Sequence, residues 1–208
     1  MMTPGTVFIV DDDASVRSGL SRLVRSAGFE TEPFASAEEF LARRPFDGIG
    51  CVLLDLRMPK VTGAQLQERL AARGSTLPII FLSGHGDVSA SVRAMKQGAV
   101  DFLTKPVDDE VLVAALAEAM VRHRSVRATR DDLAAIAQRI ATLTAREHEV
   151  MRCVIGGALN KQTAGHLGIA ERTVKVHRAK VMEKMAAGSV ADLVRSCDAA
   201  GLTPIACG

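Results

Sequence analysis

No stretch of this 208-residue sequence reaches the roughly 18 consecutive apolar residues of a membrane span, so no membrane-crossing helix is expected. The start, MMTPGTVF, has no basic region followed by an apolar one, and no signal peptide is expected. Cysteine is scarce: Cys51, Cys153, Cys197 and Cys207 are widely spaced and form no C-x-x-C pair. That argues against a zinc site or a disulfide framework and suits a reducing cytoplasm. Low-complexity segments and internal repeats are absent. What remains is ordinary for a folded chain, 48% hydrophobic and 24% charged. The length allows two small domains with a core each.

Charge is informative by region. Residues 1–106 carry 12 Lys/Arg and 12 Asp/Glu, residues 107–141 carry 5 and 6, and residues 142–208 carry 9 and 6. Within residues 160–184 alone there are 6 basic and 2 acidic side chains. Positive charge concentrated in one short segment favours a polyanionic partner, with a solvated basic face as the plainer alternative.

Residues 6–10 (TVFIV), 51–54 (CVLL), 79–82 (IIFL) and 100–103 (VDFL) are short apolar runs, and 29–34 (FETEPF) is a weaker fifth. Their length and continuity fit buried strands of a parallel sheet. Helical patterns alternate with them. Residues 14–27 carry Val16, Leu20, Leu23 and Val24 before Gly28; Ser36 with Glu39 and Thr62 with Gln65 match capping boxes. Asp87 is positioned to cap a helix bearing Val88, Val92 and Met95, and His85, between two glycines, reads as a loop residue. Five β-α repeats define a doubly wound α/β domain.

In such a sheet, ligands bind beyond the carboxyl ends of the strands. Asp11 and Asp12 follow the first strand, Asp55 the third, Ser83 the fourth and Lys105 the fifth. Three acids, a hydroxyl and an ammonium should therefore share one pocket. Clustered carboxylates suit a hard cation such as Mg²⁺. A hydroxyl and a lysine beside it suit phosphoryl oxygens, and a carboxylate there can accept a phosphoryl group. Asp13 fits a simpler role, an exposed acid at a helix start.

The chain from 142 onward is helical in pattern. Thr144 with Glu147 forms a capping box ahead of Val150, Val154 and Ile155, and Asn160 is placed to cap a short helix carrying Ala164 and Leu167. Gly168 marks a tight turn. A second helix from about 171 to 185 has Val174, His177, Val181 and Met185 on one side, which should be core. Its other side carries Arg172, Lys175, Val176 and Ala179, with Lys180 flanking: basic groups for phosphates and guanine edges, small apolar groups for thymine methyls. Ser189 with Asp192 starts a last helix. Between the domains, residues 108–141 lack Gly and Pro and keep helical periodicity, so one long helix is expected, weakest near Ser125 to Thr129.

The set "VDDD", "LLDLRMP", "LSGHG" and "FLTKP" resembles the receiver domain of bacterial two-component response regulators, over about residues 5–122. The segment from Leu143 to Met185 resembles the LuxR-type helix-turn-helix, and the whole chain is similar to the NarL/FixJ family, FixJ branch. The resemblance implies a receiver at 1–122, a helical linker at 123–141 and a DNA-binding domain at 142–208. It implies Asp55 as phosphoacceptor, and Mg²⁺ (or Mn²⁺) held by Asp12, Asp55 and the backbone carbonyl of Arg57, with Asp11 acting through water. It implies Lys105 as a phosphoryl contact, with Ser83 and Phe102 as switch residues. A DNA face is implied for Lys161, Gln162, Arg172, Thr173, Lys175, Val176, Arg178, Ala179 and Lys180. Ala170 departs from the pattern, standing where relatives often have a Ser or Thr cap. The partners implied are a histidine kinase, promoter DNA with dyad-related half-sites and, on phosphorylation, a second copy of the chain. The expected location is the cytoplasm, with no catalysis beyond self-phosphorylation and self-dephosphorylation.

Two other functions compete. A Mg²⁺-dependent aspartyl-phosphate phosphohydrolase of the haloacid-dehalogenase type would need a carboxylate at position 57, which is Arg57, and a cap domain that the chain lacks. A protein-binding regulator without DNA affinity would have no use for Lys161, Lys175 and Arg178.

Overall fold

The computed structural model describes residues 5–84 and 88–207. His85 and the cap expected at Asp87 lie outside the described residues. The chain divides into two compact units, Met1–Arg127 and Ala128–Gly208.

The first unit holds five parallel strands, β1 (Thr6–Val10), β2 (Glu30–Phe34), β3 (Gly50–Asp55), β4 (Ile79–Ser83) and β5 (Asp101–Thr104), in the order β2-β1-β3-β4-β5. Helices α1 (Ala14–Ser26), α2 (Ala37–Ala42), α3 (Gly63–Ala72), α4 (Val88–Lys96) and α5 (Asp109–Ala141) follow the strands in turn. Successive strand residues point to opposite faces, so a strand buried on both sides must be apolar throughout. Phe8, Val10, Val52, Leu54 and Phe81 pack with residues of α2, α3 and α4, including Phe40, Leu66 and Ala94. Val7, Ile9, Leu53, Ile80 and Leu82 pack with α1 and α5 through Leu20, Val24, Leu112 and Leu116. The two edge strands break the pattern: β2 has Glu30, Glu32 and Pro33 exposed, and β5 carries a partly buried Asp101 and an exposed Thr104.

The helix starts show how far local signals reach. Thr62 and Gln65 form the full reciprocal box at α3. At α2 the Ser36 hydroxyl accepts from the Glu39 N–H, but the Glu39 carboxylate reaches back to the Ala35 N–H, one residue beyond the expected partner. Gly63 is required where α3 starts, because a Cβ there would lie 2.4 Å from the Asp55 carbonyl oxygen.

Helix α5 runs unbroken through Ser125 to Thr129. A tertiary anchor supports it just before that stretch. His123, 2% exposed, accepts a hydrogen bond from the Gly50 N–H at Nδ1 (3.1 Å), with Nε2 3.2 Å from the Thr76 hydroxyl. One turn on, Arg127 donates to the Gly48 carbonyl and pairs with Asp47 at 2.5 Å. An accepting Nδ1 requires the neutral ring. Burial first, then the Arg127 charge, hold the His123 pKa below its ordinary value. Unfolded His takes up a proton near its reference value of about 6.5, while the folded ring resists it. This contribution to stability is therefore present above about pH 6.5 and lost as pH falls through the depressed folded value. Denaturant unfolding at about pH 7.5 and about pH 5.5 should show a smaller pH loss for His123→Asn than for the natural chain. His123→Ala, which leaves the Gly50 N–H without its acceptor, should cost about 1–3 kcal/mol at neutral pH.

The second unit contains α6 (Ala145–Ile155), α7 (Asn160–Leu167), α8 (Glu171–Lys184) and α9 (Val190–Ala199). Its core joins Val150, Met151, Val154, Val174, Val181, Met185, Leu193 and Cys197, with Ile136 and Ile140 from the end of α5 against it. Thr144 and Glu147 form the expected reciprocal box. The Glu147 carboxylate also takes Lys184 at 2.6 Å, tying the start of α6 to the end of α8. The Lys184 hydrogen bond, with the Thr144 N–H second, holds the Glu147 pKa down to about 2.

Two expectations are corrected. Asn160 is the first residue of α7, not its cap: its Oδ1 accepts from Arg178, and the Gln162 side chain accepts from the Leu159 N–H instead. His177 is only partly buried, and its Nδ1 has no hydrogen-bond partner, so it is not the satisfied core histidine expected.

Candidate functional site

The carboxyl ends of the strands converge as the sequence pattern requires. Asp11, 1% exposed, directly follows β1, and Asp55 ends β3. The Lys105 ammonium, just past β5, lies 2.6 Å from Asp11 Oδ2 and 2.7 Å from Asp55 Oδ1. The second oxygen of Asp55 accepts the Arg57 N–H at 3.1 Å. Asp11 Oδ1 accepts the Asp13 N–H at 2.9 Å. Asp12 is exposed at the mouth. Asp13 caps α1, accepting from the Ser15 hydroxyl and the Ser15 and Val16 N–H groups. Those bonds, the Ser15 hydroxyl first, keep its pKa low.

The electrostatics of the pocket are unbalanced. Burial, the largest influence, raises the Asp55 pKa; the neighbouring Asp11 charge adds to it, and Lys105 offsets both only partly. For Lys105, burial works downward, but the hydrogen bonds to Asp11 and Asp55 outweigh it and the net shift is upward. Asp11, Asp12 and Asp55 offer three carboxylates against one ammonium, an all-oxygen donor set that suits a hard divalent cation. The residues fit the Mg²⁺ that the sequence resemblance implies.

Not every expected member touches this centre. Ser83, 1% exposed at the end of β4, donates its hydroxyl to the Gly84 carbonyl at 3.1 Å. Its own carbonyl accepts the Lys105 N–H, which holds the lysine backbone beside it. Phe102 on β5 is partly buried, its ring 6.4 Å from that of Phe81. The Arg57 side chain is exposed. One neighbour escapes sequence reasoning: Arg17 on α1 donates to the Asp11 carbonyl at 2.7 Å. Its only signal is a position six residues beyond Asp11 on the inward side of α1, too common to single out.

The second candidate site is α7 and α8. Gly168, in the left-handed region (φ 63°), makes the turn between them that a side chain would strain. Lys161, Gln162, Arg172, Lys175, Val176, Ala179 and Lys180 are exposed, and Thr173 and Arg178 partly so. Val176 is 55% exposed. Lys175 lies 3.6 Å from Glu171, a loose exposed pair that is easily exchanged. Arg178 is committed to Asn160, so it positions α7 against α8.

Ala170 occupies the N-cap of α8 in extended geometry and provides no side-chain acceptor. Ala170→Ser supplies one at compatible dihedrals and should stabilise the second unit by about 1 kcal/mol, read as an upward shift of its thermal transition.

A five-stranded doubly wound domain with an acid-lysine pocket, followed by a helix-turn-helix, defines a receiver coupled to a DNA-binding module. Comparison with known proteins agrees. The pattern of the response regulator receiver domain matches residues 7–117, and that of the bacterial regulatory proteins of the luxR family matches 141–197. The chain belongs to the response regulators of the NarL/FixJ family. It is 44% identical to nodulation protein W of Bradyrhizobium diazoefficiens over 201 residues, 97% of this chain and 88% of that one. It is 43% identical to the transcriptional regulatory protein FixJ of Rhizobium meliloti over 203 residues, 98% of this chain and all of that one. Among solved structures, the response regulator StyR superposes with a TM-score of 0.85 at 46% identity, covering 94% of this chain and 98% of that one.

Proposed function

We propose that this chain is a phosphorylation-gated transcriptional regulator that accepts a phosphoryl group on Asp55 from a histidine kinase. The carrying observation is the Lys105 ammonium shared between Asp11 and Asp55 at the mouth of the sheet. Asp55 attacks the phosphorus of a phosphohistidine; a P–O bond forms, the P–N bond breaks, and the departing imidazole takes a proton. Asp12, Asp55 and the backbone carbonyl of Arg57, with Asp11 through water, would hold Mg²⁺ or Mn²⁺, which would supply neutralisation of the charge on the transferred group. Lys105 leaves its carboxylate partners in part to meet the new phosphoryl oxygens. The product adds about −1.5 to −2 charge. Ser83 then exchanges its bond to the Gly84 carbonyl for one to the phosphoryl group, and the space it leaves admits Phe102. Catalysis is confined to this self-phosphorylation and to self-dephosphorylation, in which water takes the phosphoryl group from Asp55 and inorganic phosphate leaves.

A groove of about 930 Å³ beside Lys105, lined by Val16, Leu20, Leu23, Pro106 and Val107, supports docking of a kinase helix next to the acceptor. The altered receiver favours pairing of two copies, which brings two α8 helices to dyad-related half-sites. The site of action is the cytoplasm; no helix among the described residues is long and apolar enough to cross a membrane.

The test is selection of genomic DNA fragments by the full chain with and without a small phosphodonor and Mg²⁺. Enrichment of a dyad-symmetric sequence should rise with the donor, and the donor should have no effect on Asp55→Asn. Absence of any enriched sequence from the phosphorylated chain counts against the reading.

A further inference from the structure

The cysteines that look unrelated in sequence are not all unrelated in space. Cys153 on α6 and Cys207, 54 positions later, face each other with their sulfurs 2.7 Å apart, well inside van der Waals contact. Cys153 is fully buried and Cys207 is 8% exposed. Both belong to a small apolar cluster of their own, with Ala158 and Ile205. The irregular segment after α9 is what carries Cys207 there. The Ile205 N–H donates to the Arg152 carbonyl (3.0 Å), and the Arg152 side chain donates to the carbonyl and hydroxyl of Thr203. Gly156 lies under this segment; a Cβ there would meet the Ile205 carbonyl oxygen at 2.5 Å.

We propose that Cys153 and Cys207 are a reversible dithiol–disulfide site that fastens the 203–207 segment to α6. The oxidant is a low-molecular-weight disulfide. Its exchange with Cys207 forms a mixed disulfide and releases one thiol. Attack by the Cys153 sulfur then forms the Cys153–Cys207 bond and releases the second thiol. Two protein thiols are oxidised, one small disulfide is reduced to two thiols, and both protein thiol protons leave with them.

Access is through the segment rather than through the helix. Residues 203, 204 and 206 are exposed and the stretch has no regular secondary structure, so local opening there uncovers both sulfurs. Burial pushes the closed Cys153 thiol up to about 12, which keeps it unreactive until the segment lifts. Cys51 and Cys197 are also buried, each within one of the larger apolar clusters rather than in this one.

His166 brings a nitrogen within 4.8 Å of both sulfurs, which raises a shared metal ion as the competing occupant. Two sulfurs bound tetrahedrally to one zinc ion sit about 3.7 Å apart. The pair is closer than that, His166 is exposed, and no fourth protein ligand joins the cluster among the described residues. The geometry therefore favours sulfur–sulfur bonding.

The experiment uses the full chain equilibrated with glutathione disulfide and glutathione at varied ratio. Free thiols are then counted after denaturation, and peptides are mapped by mass. The expected result is loss of two of the four thiols at monomer mass, a cross-linked pair of peptides containing Cys153 and Cys207, and recovery with dithiothreitol. Cys153→Ser should stop at a glutathione adduct on Cys207, and a Cys51→Ser, Cys197→Ser double variant should oxidise like the natural chain. Hydrogen exchange at the Ile205 amide should slow on oxidation. Four free thiols throughout, a cross-link through Cys51 or Cys197, or two thiols protected by a chelator-removable zinc ion would each overturn the proposal.

Discussion

Asp55→Asn should take up no phosphoryl label. The natural chain, given a small radiolabelled phosphodonor and Mg²⁺, is expected to carry label at one hydroxylamine-sensitive site. An amide at position 55 cannot form the acyl phosphate, so label should fall to background rather than merely decline. The same experiment separates the roles of the other acids. Asp12 is exposed, so Asp12→Asn should leave the fold intact and raise the Mg²⁺ needed for half-maximal labelling by about tenfold or more. Asp11 is buried against Lys105 at 2.6 Å, so Asp11→Asn should reduce labelling and also loosen the lysine. Undiminished label on Asp55→Asn would place the acceptor elsewhere. The pocket's surplus of carboxylates would then need another explanation.

The second large effect is expected on DNA. Lys161, at the start of α7, and Lys175, in the first half of α8, are both exposed, yet they should behave differently. Lys161→Ala should weaken binding to every duplex and lower the slope of log affinity against log salt by about 1. Lys175→Ala and Val176→Ala should instead relax base preference at particular positions, at about 1–3 kcal/mol for a good base contact. Titration of cognate and scrambled duplexes over a salt series reads both quantities. Equal losses on the two duplexes for Lys175→Ala would make it a phosphate contact and rotate the recognition face about the α8 axis. Arg178 is a different case. Its guanidinium donates to Asn160 through Nη1, so Arg178→Ala should act partly through the α7–α8 arrangement.

Most of the scaffold was legible because its signals are local. Continuous apolar runs such as CVLL and IIFL can be buried only between two helical layers, and the observed β3 and β4 extend those runs by one or two residues. The pocket was legible for a related reason: in a parallel sheet, the residue after each strand is delivered to the same edge. What was not legible depends on long-range contacts. His123 meets Gly50 across 73 positions, and nothing in "RHRSVRATRDD" distinguishes it from a solvated helix residue. That contact, with Arg127, steadies a stretch whose sequence reads as weak. Asn160 looked like a cap because Asn usually is one; Arg178, 18 residues away, takes its side chain instead. Glu39 shows the limit even of local patterns, since a side chain of that length can pass the nearest N–H and satisfy the next.

The β2 edge of the sheet sets a limit on how copies of this protein can meet. An outermost strand with free N–H and C=O groups invites a neighbour's strand to continue the sheet. Strand β2 discourages it: Pro33 has no N–H to offer, and the exposed carboxylates of Glu30 and Glu32 would bring like charges close together if two copies paired along it. The irregularity that made this strand the hardest to recognise thus protects the folded chain from fibre-like stacking, and it leaves pairing of copies to surfaces other than this edge.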